Sequence, residues 1–156
     1  MCSIVTYRME KDEMKHPLLV AEDSFEYMIS EINDPEGAVA LVNTIFRMNH
    51  LAEESVCMIA QDVKGGVLGL FKVSHGILDG TPCNPREIFL RALIAGAGAI
   101  IILHNHPSGD PDPSEQDIMV FEKLLKAGRL IGIGLNDFII IGDTYYSFKE
   151  EGWEFR

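Results

Sequence analysis

The hydrophobic positions of residues 24–46 follow helical spacing, and strand patterns begin after residue 53. From Ser24, four apolar residues recur at helical spacing and predict a helix: Phe25, Met28, Ile29 and Ile32. A second helix is predicted to begin at Pro35, because proline suits the first helical position. Its apolar face would consist of Ala38, Leu41, Val42, Ile45 and Phe46. Residues 1–22 show little periodicity and many charges, and we expect a loosely attached arm there.

A strand hairpin and a helix are predicted next. The segments "SVCMIAQ" and "VLGLFKVS" read as strands on either side of Gly65-Gly66, a hairpin signal. A helix follows in "CNPREIFLRALIAGAGA", where Asn84 can cap the first turn and Gly96 or Gly98 can end the helix.

The remaining pattern completes the order β-β-α-β-α-β-β. The continuous run "AIIIL" is typical of a strand covered on both faces. The amphipathic segment "SEQDIMVFEKLLKAG" predicts a helix ending at Gly128, and "DFIIIG" and "TYYSF" predict two closing strands. We therefore expect an α/β fold with three α-β-α layers and a mixed central sheet. Residues 1–52 would form an N-terminal arm with two helices, ahead of a domain at 53–156.

Charge and cysteine content narrow the function classes. The chain has 13 basic and 24 acidic side chains, a formal charge of -11, so direct nucleic-acid binding is not favoured. Its three cysteines are odd in number and never form C-x-x-C, which suits a reducing compartment. The longest apolar run has about half the length needed to cross a bilayer. No basic-then-apolar leader is evident, so we expect a cytoplasmic protein without a membrane segment.

The stretch "IILHNHPSGDPDPSEQD" carries the candidate chemistry. In an extended segment His104 and His106 point to the same side, so their rings can converge on one ion. Asp117, in the first turn of the next helix, is the candidate third ligand. Two imidazoles and one carboxylate would leave a fourth position of a zinc ion open for water, as in catalytic sites. Such a site also needs a general base within about 3 Å of that water.

A metal-free interpretation of the same residues stays open at this point. Ser114 and Asp117 form S-x-x-D, which resembles a capping box and would begin a helix without any metal. Asp110 and Asp112 are alternative acids, although both lie in the turn and not on a helix start. The position of the histidines at the end of a buried strand favours a functional site.

This segment resembles a known family. "HNHPSGDPDPSEQD" fits the pattern H-x-H-x(7)-S-x(2)-D of JAMM (MPN+) metalloproteases. The longer stretch "PREIFLRALIAGAGAIIILHNHPSGDPDPSEQD" resembles the RadC-type JAB domain, a family long labelled a DNA repair protein. The resemblance covers roughly residues 54–152 and implies a JAMM/cytidine-deaminase-like fold. It also implies one Zn²⁺ per chain, with His104, His106 and Asp117 as its ligands.

The resemblance further implies catalytic roles for Glu54 and Ser114. The family places a glutamate eight residues before an aspartate that closes a strand, and Glu54 stands eight before Asp62. Glu53 is the competing residue, but it would point to the other face. Ser114 would donate to the developing oxyanion, so Ser114→Ala should impair turnover and spare zinc. The implied function is a zinc-dependent JAMM-type hydrolase of peptide or isopeptide bonds, with zinc-bound water activated by Glu54 and a peptide or protein conjugate as substrate.

Parts of the sequence are also compatible with other function classes. A RadC-like domain could instead be a non-catalytic binding or assembly module linked to DNA repair or mobile elements, with the N-terminal helices as its docking or oligomer surface. A phosphoesterase usually holds two metals about 4 Å apart, which needs more ligands than this chain offers. A nucleobase deaminase requires H-x-E and P-C-x-x-C, and the chain has neither.

Several residues outside the motif carry expectations of their own. Arg86 and Glu87 are expected to pair structurally, the alternative being that Arg86 orients a substrate carboxyl group or the motif loop. Cys57 is expected in the core, and His75 and Cys83 bracket a loop that could wall the cleft. The chain departs from the RadC-type pattern in three places: Phe138 after Asp137 where the family has histidine, Gly76-Ile77 where it has Gly-Thr, and no recognisable helix-hairpin-helix.

Overall fold

A seven-stranded mixed sheet organises residues 1–75 and 83–155, the part of the chain that the computed structural model describes. The strands are β1 (Cys2–Lys11), β2 (Pro17–Tyr27), β3 (Ser55–Gln61), β4 (Val67–His75), β5 (Ala99–Asn105), β6 (Gly134–Ile141) and β7 (Tyr145–Ser147). The helices are α1 (Pro35–Phe46), α2 (Pro85–Ile94) and α3 (Glu115–Ile131), with a short 3₁₀ helix at Met48–His50. The sheet order is β2-β1-β4-β3-β5-β6-β7, in which β1–β4 and β5–β6 pair in parallel and the other neighbours pair antiparallel.

Helices cover both faces of this sheet. One apolar cluster joins α1 to one face through Ala38, Leu41 and Val42. The other joins α2 and α3 to the opposite face through Ile88, Phe89, Ala92, Val120, Phe121 and Leu124. The central strands β3 and β5 are buried at every position, which accounts for the unbroken apolar run in β5. The predicted α/β fold with three α-β-α layers is confirmed.

The predictions for the first 32 residues are wrong in two respects. The expected loose arm forms strand β1 and the first part of β2. The helix expected from Ser24 is absent: its first residues end β2, where Phe25 pairs with Ile4, and the rest is non-helical. β1 also pairs in parallel with β4 through Tyr7 and Phe71. Backbone pairing with distant residues therefore overrides the short helical spacing. The N-terminal extension contains only one of the two expected helices, and the division between residues 52 and 53 stays a prediction.

The helix ends follow local sequence signals with one exception. Asp34 and Asn84 cap α1 and α2 by accepting hydrogen bonds from Gly37 N and Arg86 N, and a proline follows each cap. The expected end of the third helix at Gly128 is wrong, because α3 continues to Ile131.

Gly128 lies inside α3 and allows the chain that follows the helix to pack closely against it, and Gly132 ends the helix. A Cβ at position 128 would lie 2.5 Å from the carbonyl oxygen of Ile133. Gly132 follows α3 with a φ of 84°, a left-handed conformation that favours glycine. No helix of the described residues is long and apolar enough to cross a membrane.

Gly69→Ala should destabilise the protein if β1 docks on β4 as described. Tyr7 stacks on Phe71 with ring centroids 5.6 Å apart, and a Cβ at residue 69 would lie 2.6 Å from the Tyr7 ring. We expect the free energy of unfolding to fall by about 1–3 kcal/mol in urea denaturation, as in overpacked cores. Gly134→Ala is the matched control, since its nearest contact would be at 3.8 Å. Equal stability of the two variants would contradict the docking of β1.

Candidate metal centre

The carboxyl end of β5 presents two histidines on one face of the sheet. His104 lies within the strand, and the backbone N–H of His106 donates to Ile141 O at 2.8 Å, which continues the contact with β6. Alternation along the extended backbone then directs both rings to the side covered by α2 and α3. The ring centroids are 4.9 Å apart and the rings are nearly perpendicular, with an interplanar angle of 86°.

Asp117 returns to these rings because of how α3 begins. Ser114 caps the helix: its Oγ accepts from Asp117 N at 3.1 Å, while the Asp117 carboxylate accepts from Ser114 N at 2.8 Å. The carboxylate oxygens then lie 3.6 Å from His104 Nε2 and 3.3 Å from His106 Nε2. One ligand atom from each of the three residues lies within 4.8 Å of the others. The structure thus brings together the three predicted ligands.

Carbonyl groups orient both histidine rings. His104 Nδ1 lies 3.3 Å from Ser55 O, and His106 Nδ1 lies 2.8 Å from Asp110 O. A carbonyl oxygen only accepts, so each Nδ1 carries a proton, and the Nε2 atom of each ring is the nitrogen on the side of Asp117. Two imidazole nitrogens and one carboxylate oxygen form a donor set that fits zinc with an open fourth position.

Burial and hydrogen bonding act differently on the pKa values of the three residues, and His104 and Asp117 take the forms that bind a metal. Burial lowers the pKa of His104 below the usual histidine value, against the opposing charges of Asp117 and Glu54. A hydrogen bond to Asp117 raises the pKa of His106. Burial acts to raise the pKa of Asp117, but hydrogen bonds from His106 and Ser114 outweigh it and lower the pKa to about 2. At neutral pH Asp117 is therefore an anion and His104 is neutral, and metal binding needs both forms.

Glu54 lies beside the two histidines, and Glu53 has a different partner. The β3–β5 register pairs Val56 with His104, and its continuation would set Glu54 opposite His106 on the same face. The negative charge of Glu54 acts to raise the pKa of both histidines. The Glu53 carboxylate instead lies 3.1 Å from Nε2 of His75. The two glutamates thus differ in their surroundings, and the role of Glu54 as proton carrier stays a prediction.

The Ser114 side chain contacts the candidate ligand Asp117 directly. Its Oγ donates to Asp117 Oδ2 at 2.6 Å, so the hydroxyl proton is directed at the carboxylate. The capping box that the sequence left open as an alternative is therefore present, and Asp117 belongs both to it and to the candidate metal cluster. The oxyanion role of Ser114 stays a prediction.

Asp110, one of the two alternative acids in the turn, has a structural role. Asp110 uses its carboxylate to accept from Asp112 N at 3.0 Å and its carbonyl to orient His106. Neither acid belongs to the three-residue cluster found among the described residues. The turn is anchored where Gly109, with a φ of 88°, accepts from Asp143 N at 2.7 Å.

The remaining singled-out residues lie outside the cluster. Arg86 pairs with Glu87 at 2.7 Å on the exposed start of α2, in agreement with the structural interpretation. Cys57 and Cys83 are both buried, and burial raises the pKa of the Cys83 thiol to about 12. Asp137 is buried and accepts from Ser147 Oγ at 2.6 Å, which ties β6 to β7. The departure at Gly76-Ile77 lies outside the described residues.

Comparison with known proteins identifies the family. A family model described as the RadC-like JAB domain matches residues 32–153. The chain therefore belongs to the RadC-like JAB domain family.

Curated relatives agree with this assignment. A UPF0758 protein of Methanosarcina acetivorans is 43% identical over 124 residues, which cover 79% of this chain and 53% of that protein. A UPF0758 protein of Desulfitobacterium hafniense is 42% identical over 122 residues, 78% of this chain and 53% of that protein. One of Moorella thermoacetica is 39% identical over 120 residues, 77% of this chain and 52% of that protein. The chain spans about half the length of these curated relatives.

Sequence reasoning assigned no role to Asn105, although it lies between the two histidines of the motif. Its side chain accepts from Ser55 N at 2.7 Å and donates to Glu53 O at 3.0 Å. The residue type is compatible with such a double contact, but its partners are 50 and 52 residues away along the chain. Only the pairing of β5 with β3 reveals them.

Removal of a ligand should abolish zinc binding without unfolding the protein. After zinc loading, elemental analysis of the purified protein is expected to give about one zinc per chain. His104→Ala and Asp117→Ala should each lose the metal, because two remaining side chains cannot hold zinc firmly. Asp112→Asn is the matched control and should retain it. Full zinc occupancy in Asp117→Ala would contradict the ligand assignment.

Ser114→Ala should weaken zinc binding, in contrast to the expectation from sequence that it spares the metal. The substitution removes the hydroxyl that orients Asp117 Oδ2. Loss of a hydrogen bond to a metal ligand typically lowers metal affinity by about 10–100-fold. Competition titration with a zinc chelator measures the change. Ser108→Ala is the control, because that hydroxyl contacts Asp110 N in the same loop and not a ligand. An unchanged zinc affinity in Ser114→Ala would show that this contact does not support the site.

Proposed function

We propose that this protein is a zinc-dependent hydrolase of the JAMM type that cleaves peptide or isopeptide bonds. The observation that carries the proposal is the convergence of His104, His106 and Asp117 at one end of the sheet, with the charge of Glu54 beside both imidazoles. Membership of the RadC-like JAB domain family supports it. We extend the proposal to a cytoplasmic location and to a peptide or a protein conjugate as substrate.

The ligand set and Glu54 would divide the chemistry between them. A zinc ion held by the three side chains would polarise the scissile carbonyl group and lower the pKa of a water molecule to about 7. The Glu54 carboxylate would accept the proton of the attacking water and deliver it to the leaving nitrogen, as a general acid/base. Exposure of Glu54 to solvent is compatible with this exchange of protons.

Ser114 would stabilise the developing oxyanion. This role requires its hydroxyl to turn away from Asp117 Oδ2, where its proton is now directed. A preorganised donor of this kind is worth about 3–4 kcal/mol of transition-state stabilisation. The exposed position of Ser114 at the start of α3 leaves room for such a rotation.

Glu54→Gln is the variant that tests the proposal. The zinc-loaded protein is incubated with fluorogenic peptides and with peptides linked to a lysine side chain, and released amines are measured. Glu54→Gln should lower kcat by about 10²–10⁴-fold while zinc content stays unchanged, because the amide cannot take up the proton. Glu53→Gln is the matched control and should retain most activity, since its partner is His75.

Two outcomes would contradict this function. Equal rates for the wild type and Glu54→Gln would exclude Glu54 as the proton carrier. A zinc-loaded wild type that cleaves none of the probes would favour the alternative, a non-catalytic binding or assembly module.

A further inference from the structure

We propose that Asn105 is a positioning residue that holds Glu54 in place relative to the predicted metal ligands. The inference rests on the proposed function, because it concerns the position of Glu54, the proposed proton carrier. It assigns a task to the middle residue of the His-Asn-His sequence.

The Asn105 side chain contacts the backbone on both sides of Glu54. Its Oδ1 accepts from Ser55 N at 2.7 Å, and its Nδ2 donates to Glu53 O at 3.0 Å. The side chain is buried, with Asn105 only 2% exposed, so water competes little for these hydrogen bonds. Both peptide groups that flank Glu54 are therefore tied to one amide.

This contact matters because Glu54 lies just outside the regular sheet. Strand β3 begins at Ser55, and its pairing with β5 begins with Val56 opposite His104. The segment before Ser55 therefore lacks the ladder that fixes the rest of β3. In place of backbone hydrogen bonds between strands, the Asn105 side chain accepts one hydrogen bond from this segment and donates another to it.

Asn105 acts from the face of the sheet opposite to the metal ligands. Side chains alternate along β5, so Asn105 points away from the side that His104 and His106 share. It thus fixes the Glu54 backbone without occupying space on the metal side. One short segment therefore carries both histidines and the amide that holds the Glu54 backbone.

A second contact engages the side chains next to Glu54. His75 Nδ1 lies 2.7 Å from Ser55 Oγ, and His75 Nε2 lies 3.1 Å from Glu53 Oε2. Within the described part of the chain, the Glu54 carboxylate itself forms no hydrogen bond or ion pair. The backbone of this tripeptide is held, its two outer side chains are engaged, and the central carboxylate stays available for proton transfer.

The first test needs neither metal nor substrate. Hydrogen exchange of the Ser55 amide is followed by NMR in metal-free protein. Asn105→Ala removes the acceptor of the Ser55 amide and should speed its exchange by about tenfold or more. Asn105→Asp keeps an acceptor oxygen and should preserve the protection of this amide.

Asn136→Ala is the matched control for the exchange test. It deletes an amide that donates to Gln61 Oε1 at 3.0 Å at the opposite end of β3, so Ser55 exchange should not change. Unchanged Ser55 exchange in a folded Asn105→Ala would overturn the proposal.

The second test asks whether Asn105 acts through Glu54. A displacement of about 1 Å can cost on the order of 100-fold in rate, so Asn105→Ala should lower kcat by about 10–100-fold. KM and zinc content should stay unchanged. In a Glu54→Gln background the same substitution should have no further effect on kcat, because the group it positions is already lost.

The outcomes separate this inference from the proposed function. Additive losses in the double variant, or a normal kcat in Asn105→Ala beside an inactive Glu54→Gln, would overturn the positioning role alone. Normal activity in Glu54→Gln would overturn the proposed function. If the wild type cleaves no probe, the proposed function fails, and exchange at Ser55 decides whether Asn105 holds this segment.

Discussion

The antiparallel pairing of β3 with β5 is the constraint on which the candidate site depends. Its register sets Val56 beside His104 and brings residues about 50 positions apart into hydrogen-bonding contact. This pairing supplies the carbonyl of Ser55 to His104 and the amide of Asn105 to the segment that carries Glu54. A slip of one residue would turn every side chain of β3 to the other face and separate Glu54 from the histidines.

Helix capping and ligand orientation are the same set of contacts in this protein. Ser114 and Asp117 satisfy backbone donors that the first turn of α3 leaves without partners, and the contacts also direct the carboxylate at both imidazoles. The interpretation of the motif as a helix cap is therefore compatible with its interpretation as a metal site. The low pKa of Asp117 follows from this arrangement, because hydrogen bonds from Ser114 and His106 favour its charged form.

The N-terminal residues show where pattern reasoning failed. Phe25, Met28, Ile29 and Ile32 have helical spacing, yet β2 continues to Tyr27 and the Ile32 N–H donates to Gly65 O at 3.0 Å. β2 is held by β1, and β1 in turn by β4 through Thr6 and Tyr7. The β1–β4 pairing joins residues 64 positions apart, so local periodicity does not reveal it.

Local signals in the sequence determined the caps of α1 and α2, the central hairpin, the buried strand β5 and the convergence of His104, His106 and Asp117. Each of these depends on alternation along a strand or on contacts within one helical turn, which spacing records directly. Tertiary structure alone decided the strands β1 and β2, the pairing of Glu53 with His75, and the double contact of Asn105. These features require distant segments to meet in one register, and the balance of burial and backbone hydrogen bonding over the whole sheet selects that register.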